Sequence, residues 1–309
     1  MRVIFMGTAP FAGPTLQRLL TSAHQVALVV TQPDRPRGRG QRPAASAVKE
    51  LALAAHCPLM QPARLRPPAV VEALATFQPD VIVVVAYGNI LPATVLQLPP
   101  YGCINVHASL LPKYRGAAPI NWTLIHGETV TGCTIMQMDE HIDTGPILWQ
   151  TACAVAPEDD AVRLGARLAE LGAAGLLEVL SALEQGAVTA QPQPEAGASY
   201  APKLSRDLGR LDWQQPARAL HNLIRGLVPW PGATTRFREL EVKIWRSAVS
   251  DVPPAQAPGT ITAITPESIG VACGLQQLLV HELQPANRRR MAAKDFVQGY
   301  RLQQGQRFD

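Results

Sequence analysis

An amide and an imidazole lie two residues apart in "CINVH" (Cys103–His107), at the end of an apolar run. Alternate residues of a β-strand project from the same face, so Asn105 and His107 are predicted to be neighbours. An amide N–H can stabilise a developing oxyanion, and an imidazole can exchange a proton near neutral pH. This pair of side chains therefore suits an acyl-type transfer.

A carboxylate further along the chain can complete such a site. Asp143 lies in the polar turn "HIDTG" and can hold the histidine tautomer or position a water that relays protons. No serine or cysteine is placed as a convincing nucleophile, which favours direct attack by a substrate amine. Each residue also has a purely structural interpretation, because buried polar side chains need partners in any fold and aspartate is common in turns. Spacing alone does not decide between the two.

The composition is that of a soluble globular protein with room for two domains. Of the 309 residues, 47% are apolar and 17% are charged. The N-terminus reads at once as a strand, and no apolar run approaches the roughly 18 residues of a membrane span, so a cytoplasmic protein is expected. The cysteines are scattered without a C-x-x-C pair, which predicts reduced thiols and no zinc site. They are Cys57, Cys103, Cys133, Cys153 and Cys273.

Short apolar runs alternate with helical patterns in the first half of the chain, which predicts an α/β domain with a doubly wound, Rossmann-like parallel sheet. Ligands of such sheets bind beyond the carboxyl ends of the strands, and His107 lies at such an end. The first turn, "GTAPFAG", lacks the G-x-G-x-x-G fingerprint, so a nicotinamide or flavin enzyme is not predicted. The main predicted strands are Arg2–Met6, Gln25–Thr31, Asp80–Ala86 and Cys103–His107.

A second domain is predicted after a stretch rich in Pro, Ala and Gly. We assign residues 1–186 to the first domain, 187–205 to a linker and 206–309 to a C-terminal domain, in which short β runs predict an OB-like β-barrel. Residues 1–205 carry 14 Lys+Arg against 15 Asp+Glu, whereas residues 206–309 carry 14 against 9. The basic C-terminal part favours a polyanionic partner.

Two arginine-rich segments can contact phosphates. "TQPDRPRGRGQRP" follows a strand and is predicted to be an irregular loop near the edge of the site, because glycine and proline interrupt regular structure. "NRRRM" lies among the C-terminal β runs. Arginine binds phosphate bidentately, although a solvated surface is the alternative for both segments. The arginines are Arg35, Arg37, Arg39 and Arg42 in the first segment and Arg288, Arg289 and Arg290 in the second.

Longer motifs of the chain resemble the folate-dependent formyltransferase family. "INVHASLLPKYRGAAPINW" followed by "MQMDEHIDTGPIL" matches the family's Asn-x-His strand end, its Ser-Leu-Leu-Pro turn and its downstream Asp-Thr-Gly. The segments "VVVAYGNILP", "VVTQPDRPRGRGQR", "YAPKLS", "RLDW" and "PWPGATT" extend the resemblance over essentially the whole chain.

The resemblance implies a reaction and a set of site residues. The formyl group of 10-formyltetrahydrofolate would pass to the α-amine of methionine carried on initiator tRNA, without a metal. Asn105 would hold the formyl oxygen, His107 would handle protons, and Asp143 would orient His107 or relay protons to the departing folate nitrogen. Phe11 matches the aromatic position near the methionine side chain. The residues matched to the folate site are Tyr87, Gly88, Asn89, Ile90, Leu91, Ser109, Leu110, Leu111 and Pro112.

The resemblance also implies how the tRNA is held. The arginine loop that contains Arg35 to Arg42 would enter the acceptor-stem end of the tRNA, and the C-terminal arginines would contact RNA. The expected protein is a monomer of the bacterial cytoplasm, whose product, N-formylmethionyl-tRNA, serves translation initiation.

Three positions depart from the family pattern. The first turn, "GTAPFA", lacks the acidic residue of relatives, "ASLLP" replaces Gly-Ser-Leu-Leu-Pro, and His141 stands where relatives have glycine. Other functions use the same three site residues: formyl transfer to an amino-sugar nucleotide or glycinamide ribonucleotide, and hydrolysis of formylfolate. A further alternative is RNA binding without catalysis. The arginine loop favours the tRNA substrate, and the intact Asn105, His107 and Asp143 favour an enzyme.

Overall fold

The computed structural model describes residues 1–37 and 42–309. Within them the chain forms two compact units that alternate along the sequence. The first unit comprises Met1–Gly116, Val130–Ala154 and Gly165–Tyr200, and the second comprises Ala117–Thr129, Val155–Leu164 and Ala201–Asp309.

The strands of the described residues are short and mostly apolar. In chain order they are β1 (Arg2–Gly7), β2 (Gln25–Val30), β3 (Arg35–Arg37), β4 (Arg42–Ala44), β5 (Leu59–Met60), β6 (Val81–Val85), β7 (Cys103–His107), β8 (Arg115–Gly116), β9 (Val130–Gln137), β10 (Ile147–Ala154), β11 (Tyr200–Ala201), β12 (Ala233–Phe237), β13 (Leu240–Ser250), β14 (Ile261–Ile264), β15 (Ile269–Ala272), β16 (Gln277–Pro285) and β17 (Met291–Ala292).

The helices lie between these strands. They are α1 (Gly13–Leu20), α2 (Ala47–Ala54), α3 (Pro68–Ala75), α4 (Ala93–Leu96), α5 (Pro119–Ile125), α6 (Ala161–Glu184), α7 (Ala217–Gly226) and α8 (Ala293–Tyr300), with 3₁₀ turns at Pro10–Ala12 and Asp207–Gly209. Among residues 1–37 and 42–309, no helix is both long and apolar enough to cross a membrane.

A seven-stranded sheet organises the first unit, in the order β10-β9-β7-β6-β1-β2-β5. The five strands from β7 to β5 run parallel, whereas β9 pairs antiparallel with β7, and β10 pairs antiparallel with β9. Strand β6, "VIVVV", is buried along its whole length, as expected of a strand covered on both faces. The predicted α/β, Rossmann-like fold is confirmed, with the antiparallel pair β9 and β10 added at one edge.

Helices cover both faces of this sheet. Phe5 of β1 packs in one core cluster with Leu16 of α1 and Leu176 of α6. Its neighbour Met6 points to the opposite face and packs with Leu74 of α3. Because successive strand residues alternate between faces, one apolar run supplies side chains to both cores. Burial of each side chain of this size contributes about 1.5–3 kcal/mol to the free energy of unfolding.

Side-chain caps define where two of these helices begin. The Ser46 hydroxyl accepts the Lys49 N–H at 3.0 Å at the start of α2. The Asp160 carboxylate accepts the N–H groups of Val162 and Arg163 at 3.0 and 2.9 Å at the start of α6. Both contacts satisfy backbone donors that a first helical turn leaves without a partner.

An antiparallel sheet with the strand order β12-β13-β16-β15-β14 forms the second unit, and β17 pairs with β16. Helix α7 turns Leu220 and Ile224 toward this sheet, where they join a core that contains Phe237 and Phe296. The predicted C-terminal β domain is confirmed, and its topology is consistent with a β-barrel.

Residues Gln306–Asp309, called the closing tail below, connect the two outer strands of this second sheet. Asp309 exchanges two backbone hydrogen bonds with Arg236 of β12, at 2.9 and 3.0 Å. At the other side, the N–H of Ile261 in β14 donates to the Gln306 carbonyl at 2.8 Å. The closing tail therefore pairs with both outer strands.

The predicted linker, residues 187–205, is hydrogen-bonded along part of its length. Gln191 exchanges two backbone hydrogen bonds of 2.8 Å with Ile147 of β10. Further along, Tyr200–Ala201 form β11. This segment therefore carries side chains to defined positions in the first unit.

Candidate active site

Strand β7 places the two predicted catalytic side chains at the carboxyl end of the parallel strands. Asn105 is in register with Val84 of β6 and Met136 of β9. The intervening side chain, Val106, packs in the core cluster on the opposite face of the sheet. Asn105 and His107 therefore share one face, as their spacing predicts.

The backbone carbonyl of Tyr114 fixes the histidine tautomer. His107 Nε2 lies 3.0 Å from Tyr114 O in a buried contact. A carbonyl oxygen only accepts hydrogen bonds, so Nε2 carries the proton. Nδ1 is then the ring nitrogen that can accept or release a proton, and it lies 3.5 Å from Asp143 Oδ2.

Asp143 connects the other members of the site through its two carboxylate oxygens. Oδ2 accepts the Gly116 N–H at 2.8 Å. Oδ1 accepts from Asn105 Nδ2 at 3.4 Å. The Asp143 side chain is 14% exposed and that of His107 is 5% exposed, so both are shielded from bulk water. The structure thus brings the three predicted catalytic residues together.

This arrangement has the parts of an acyl-transfer site. The Asn105 amide has a second N–H, which can bind a developing oxyanion while the first contacts Asp143. His107 Nδ1 can take a proton from an attacking amine, and the adjacent carboxylate stabilises the imidazolium that forms.

The turn that carries Asp143 is held in an uncommon backbone conformation. Asp143 has φ of 55°, in the left-handed region that aspartate tolerates better than most residues. Asp139 closes the turn, since its carboxylate accepts the Thr144 hydroxyl at 2.8 and 2.9 Å and the His141 N–H at 3.0 Å. The His141 side chain is exposed, so this departure from the family pattern fits without crowding the turn.

The predicted Ser-Leu-Leu-Pro turn is largely buried, and Ser109 forms hydrogen bonds to Lys113 and to Thr134 of β9. The fully buried Ser109 hydroxyl donates to Lys113 O at 2.6 Å, and Ser109 O accepts the Thr134 hydroxyl at 2.6 Å. Leu111 is buried, whereas Leu110 and Pro112 are half-buried. These contacts make the turn a rigid support beside His107, and its contact with a folate stays a prediction.

The segment after β6 has a buried side chain and an exposed one. Tyr87 packs in the core, and its carbonyl accepts from Thr8 Oγ1 at 3.0 Å and Gln32 Nε2 at 2.8 Å. Ile90 is 75% exposed. The other residues matched to the folate site here are the exposed Gly88, the half-buried Asn89 and the buried Leu91.

The predicted methionine-pocket residue, Phe11, is half-buried and packs against the core cluster that contains Phe5. It lies in the 3₁₀ turn that follows β1. This turn is at the carboxyl end of a parallel strand, the same edge of the sheet that His107 occupies.

The first arginine segment is more regular than predicted. Strands β3 and β4 pair antiparallel, with Arg37 opposite Arg42, so the expected irregular loop is wrong at these positions. Pro36 and Pro43 are opposite each other in this pairing, and a two-stranded sheet tolerates proline because each of its strands is an edge strand. Arg35 is exposed, and Arg39 lies outside the described residues.

The acidic residue of this segment is neutralised by local contacts. Asp34 accepts from Lys49 Nζ at 2.7 Å and from Gln61 Nε2 at 2.8 Å. The Lys49 contact, followed by that of Gln61, lowers the pKa of Asp34 below its usual value. The carboxylate therefore offsets little of the positive charge of the arginines that follow it.

The second arginine cluster lies in the turn between β16 and β17, and all three side chains are exposed. Arg290 stacks over Trp245, with its guanidinium carbon 4.1 Å from the ring centroid, and lies 3.6 Å from Glu282. Arg288 and Arg289 occupy the same turn.

The cysteines near the site are packing residues. Burial raises the pKa of Cys103 and of Cys133 to about 12, so both thiols are protonated at neutral pH. The residues described by the structure contain no group of three or more His, Cys, Asp or Glu side chains that could hold a metal ion.

The sequence interpretation missed four residues that shape the site. Tyr114 and Gly116 contact His107 and Asp143 through backbone groups, which no side-chain pattern reports. Arg115 and Gln193 lie 78 residues apart and interact with each other. The available signal was Arg115, the one charged residue of the stretch "YRGAAP".

Sequence comparisons define the class of protein. A family model described as "Formyl transferase" matches residues 1–180, and one described as "Formyl transferase, C-terminal domain" matches residues 203–301. The chain belongs to the formyl transferase family.

Within that family, the chain is similar to curated proteins named methionyl-tRNA formyltransferase. The protein from Trichlorobacter lovleyi is 48% identical over 98% of this chain and 96% of its own length. The protein from Solibacter usitatus is 47% identical over 99% of this chain and 98% of its own length.

Solved structures of low sequence identity share the fold. WlaRD, a sugar 3N-formyl transferase crystallised with dTDP and 5-N-formyl-THF, has a TM-score of 0.69 at 16% identity, covering 94% of this chain and 99% of its own. HypX from Aquifex aeolicus in complex with tetrahydrofolic acid has a TM-score of 0.65 at 18% identity, covering 96% of this chain and 47% of its own.

Proposed function

We propose that this chain transfers the formyl group of 10-formyltetrahydrofolate to the α-amine of methionyl initiator tRNA. The product is N-formylmethionyl-tRNA, which serves translation initiation. The observation that carries the proposal is the contact of Asp143 with both Asn105 and His107 at the end of β7. It occurs in a chain that is 48% identical along nearly its whole length to a curated methionyl-tRNA formyltransferase.

The geometry assigns a role to each residue. The methionine α-amine attacks the formyl carbon, and the carbonyl oxygen gains negative charge that the free N–H of Asn105 stabilises. His107 Nδ1 takes the proton that the attacking nitrogen loses, and Asp143 stabilises the resulting imidazolium. When the bond from the formyl carbon to the folate nitrogen breaks, that nitrogen receives a proton from the same pair, which releases tetrahydrofolate and restores the site.

The remaining site assignments complete the proposal. The segments Tyr87–Leu91 and Ser109–Pro112 hold the folate, and Phe11 contacts the methionine side chain. Residues 1–186 act as the catalytic domain, 187–205 as a linker and 206–309 as an OB-like tRNA-binding domain, to which Arg288–Arg290 contribute. The enzyme works as a monomer in the bacterial cytoplasm and needs no metal.

The direct test is transfer of a radiolabelled formyl group from 10-formyltetrahydrofolate, with charged initiator methionyl-tRNA, free methionine and an amino-sugar nucleotide as parallel acceptors. We expect label on the tRNA alone, because the arginine-rich segments hold that substrate. Label only on the amino-sugar nucleotide would overturn the tRNA assignment and leave the acyl-transfer chemistry. Release of labelled formate without an acceptor would indicate hydrolysis.

Replacement of Arg37, Arg39 and Arg42 together by alanine is expected to raise the KM for methionyl-tRNA and leave the KM for 10-formyltetrahydrofolate unchanged. Loss of phosphate contacts also reduces the slope of log(kcat/KM) against log[salt] by about one per contact. Steady-state kinetics at several salt concentrations measure both effects. The exposed arginines Arg64 and Arg66, changed together to alanine, are the control for loss of positive charge. Equal changes of the KM for methionyl-tRNA in the triple and double variants would contradict a specific role for the first arginine segment.

A further inference from the structure

Arg115 is a buried cation that the reaction scheme does not use. Its side chain is 1% exposed. Nε and Nη2 donate to Gln193 Oε1 at 3.1 and 3.0 Å, and Nη1 lies 3.4 Å from Glu195, whose side chain is 82% exposed. Burial of a guanidinium is costly unless its donors are satisfied. Its inner partner is therefore the Gln193 amide.

Arg115 determines which way that amide points. A guanidinium can only donate, so the Gln193 oxygen faces Arg115 and the amide nitrogen faces away from it. Nε2 then donates to Asp143 O at 3.0 Å and to Gly145 O at 2.7 Å. Both N–H groups of one side chain are thus used to hold the turn that carries the Asp143 carboxylate.

The turn depends on such contacts. The φ of 55° at Asp143 is a conformation that the chain does not favour without support. A side chain at Gly145 would overlap the Gln137 carbonyl, so the backbone on the far side of Thr144 approaches β9 closely. Gln193 donates to the carbonyls of the two residues that flank Thr144 and so fixes the direction of the Asp143 side chain.

The same segment supports the site through its backbone. The N–H of Arg115 donates to Ser199 O at 2.8 Å, and the N–H of Tyr114 donates to Ser199 Oγ at 2.9 Å. Tyr114 O then accepts the Nε2–H of His107, and the Gly116 N–H donates to Asp143 Oδ2. His107 and Asp143 are therefore both oriented by residues anchored to the stretch 193–199.

We propose that Arg115 and Gln193 are positioning residues that set the Asp143 turn and, through it, the position of the Asp143 carboxylate relative to His107. The effect on rate rests on the proposed function, whereas the effect on the turn does not. A misplacement of about 1 Å at a reacting group can cost roughly 100-fold in rate.

The sharpest variant is Gln193→Glu. A glutamate of the same shape keeps an acceptor for Arg115 and gives it a charged partner, but it cannot donate to Asp143 O and Gly145 O. We expect kcat for formyl transfer to fall by roughly 10–100-fold. The KM values for methionyl-tRNA and 10-formyltetrahydrofolate should stay within about twofold of the wild type, and the melting temperature within a few degrees. Gln191→Glu is the matched control, because Gln191 is exposed and its hydrogen bonds with Ile147 are made by the backbone.

Two measurements separate positioning from a general structural role. In an Asp143→Asn background, Gln193→Glu should have little further effect on kcat, because its effect acts through the carboxylate. A second measurement does not depend on activity. The Gly116 N–H donates to the Asp143 carboxylate, so its hydrogen exchange should accelerate at least tenfold in Gln193→Glu, while the amides of β6 and β7 keep their protection.

The outcomes are distinct. Unchanged exchange at Gly116, or an equal loss of kcat with and without the Asp143 carboxylate, would overturn the proposal. Absence of transfer to methionyl-tRNA by the wild-type protein would overturn the proposed function instead, and the exchange experiment would still decide whether Gln193 positions the turn.

Discussion

His107→Ala is expected to lower kcat for formyl transfer by a factor of roughly 10²–10⁴, because it removes the base that receives the proton of the attacking amine. Alanine also removes the buried hydrogen bond from His107 Nε2 to the Tyr114 carbonyl, at a cost of about 0.5–1.5 kcal/mol in the free energy of unfolding. Loss of activity in this variant alone therefore mixes two effects.

His107→Gln separates them. The glutamine amide can donate to Tyr114 O in place of Nε2, but it offers no base where Nδ1 lies beside Asp143. We expect a loss of kcat as large as in His107→Ala, with a melting temperature close to that of the wild type. Single-turnover transfer and thermal unfolding of both variants measure the two quantities. A kcat within threefold of the wild type in His107→Gln would refute proton transfer by His107.

The second large effect is expected for Asp143→Asn. Asparagine adopts the left-handed backbone conformation at least as readily as aspartate, and its amide oxygen can still accept the Gly116 N–H. It removes the negative charge beside His107 Nδ1 and, because asparagine has a single side-chain oxygen, the acceptor of Asn105 Nδ2 as well. We expect kcat to fall by roughly 10²–10⁴, equivalent to about 3–5 kcal/mol of barrier, with KM values little changed.

A neighbouring carboxylate supplies the control for this change. Glu140 lies in the same turn and is exposed, so Glu140→Gln removes the same charge at a position away from His107. Its kcat should stay within about twofold of the wild type. If Asp143→Asn and Glu140→Gln gave equal kcat values, the stabilisation of the imidazolium would have to come from another group.

Local sequence patterns predicted the parts of the site that a single strand determines. Asn105 and His107 share a face because strand residues alternate, and they lie at the carboxyl end because the strand is followed by a turn. The Asp143 turn was predicted from its polar residues, but its distance from His107 depends on how β9 pairs with β7. That pairing is a tertiary property, and the resemblance to the formyltransferases supplied what local spacing could not.

The contacts that support the site could not be predicted from the sequence, because they also depend on the tertiary structure. Gln193 lies in a Pro- and Gly-containing stretch that was interpreted as a linker, and its amide acts on Asp143, 50 residues away. A glutamine in such a stretch has no distinctive pattern. Arg115 was more informative in principle, because a fully buried arginine must have specific partners, but burial is visible only in the folded protein.

The closing tail of the second sheet has a consequence for how the protein is handled in solution. Outer strands are where sheets recruit strands from other chains, which leads to aggregation. Gln306–Asp309 occupies backbone groups of both outer strands, and Asp309 O also accepts the Thr235 hydroxyl at 2.8 Å. Displacing or removing these four residues would free the backbone groups of both outer strands and promote pairing with other chains, so preparations of the protein should keep them in place.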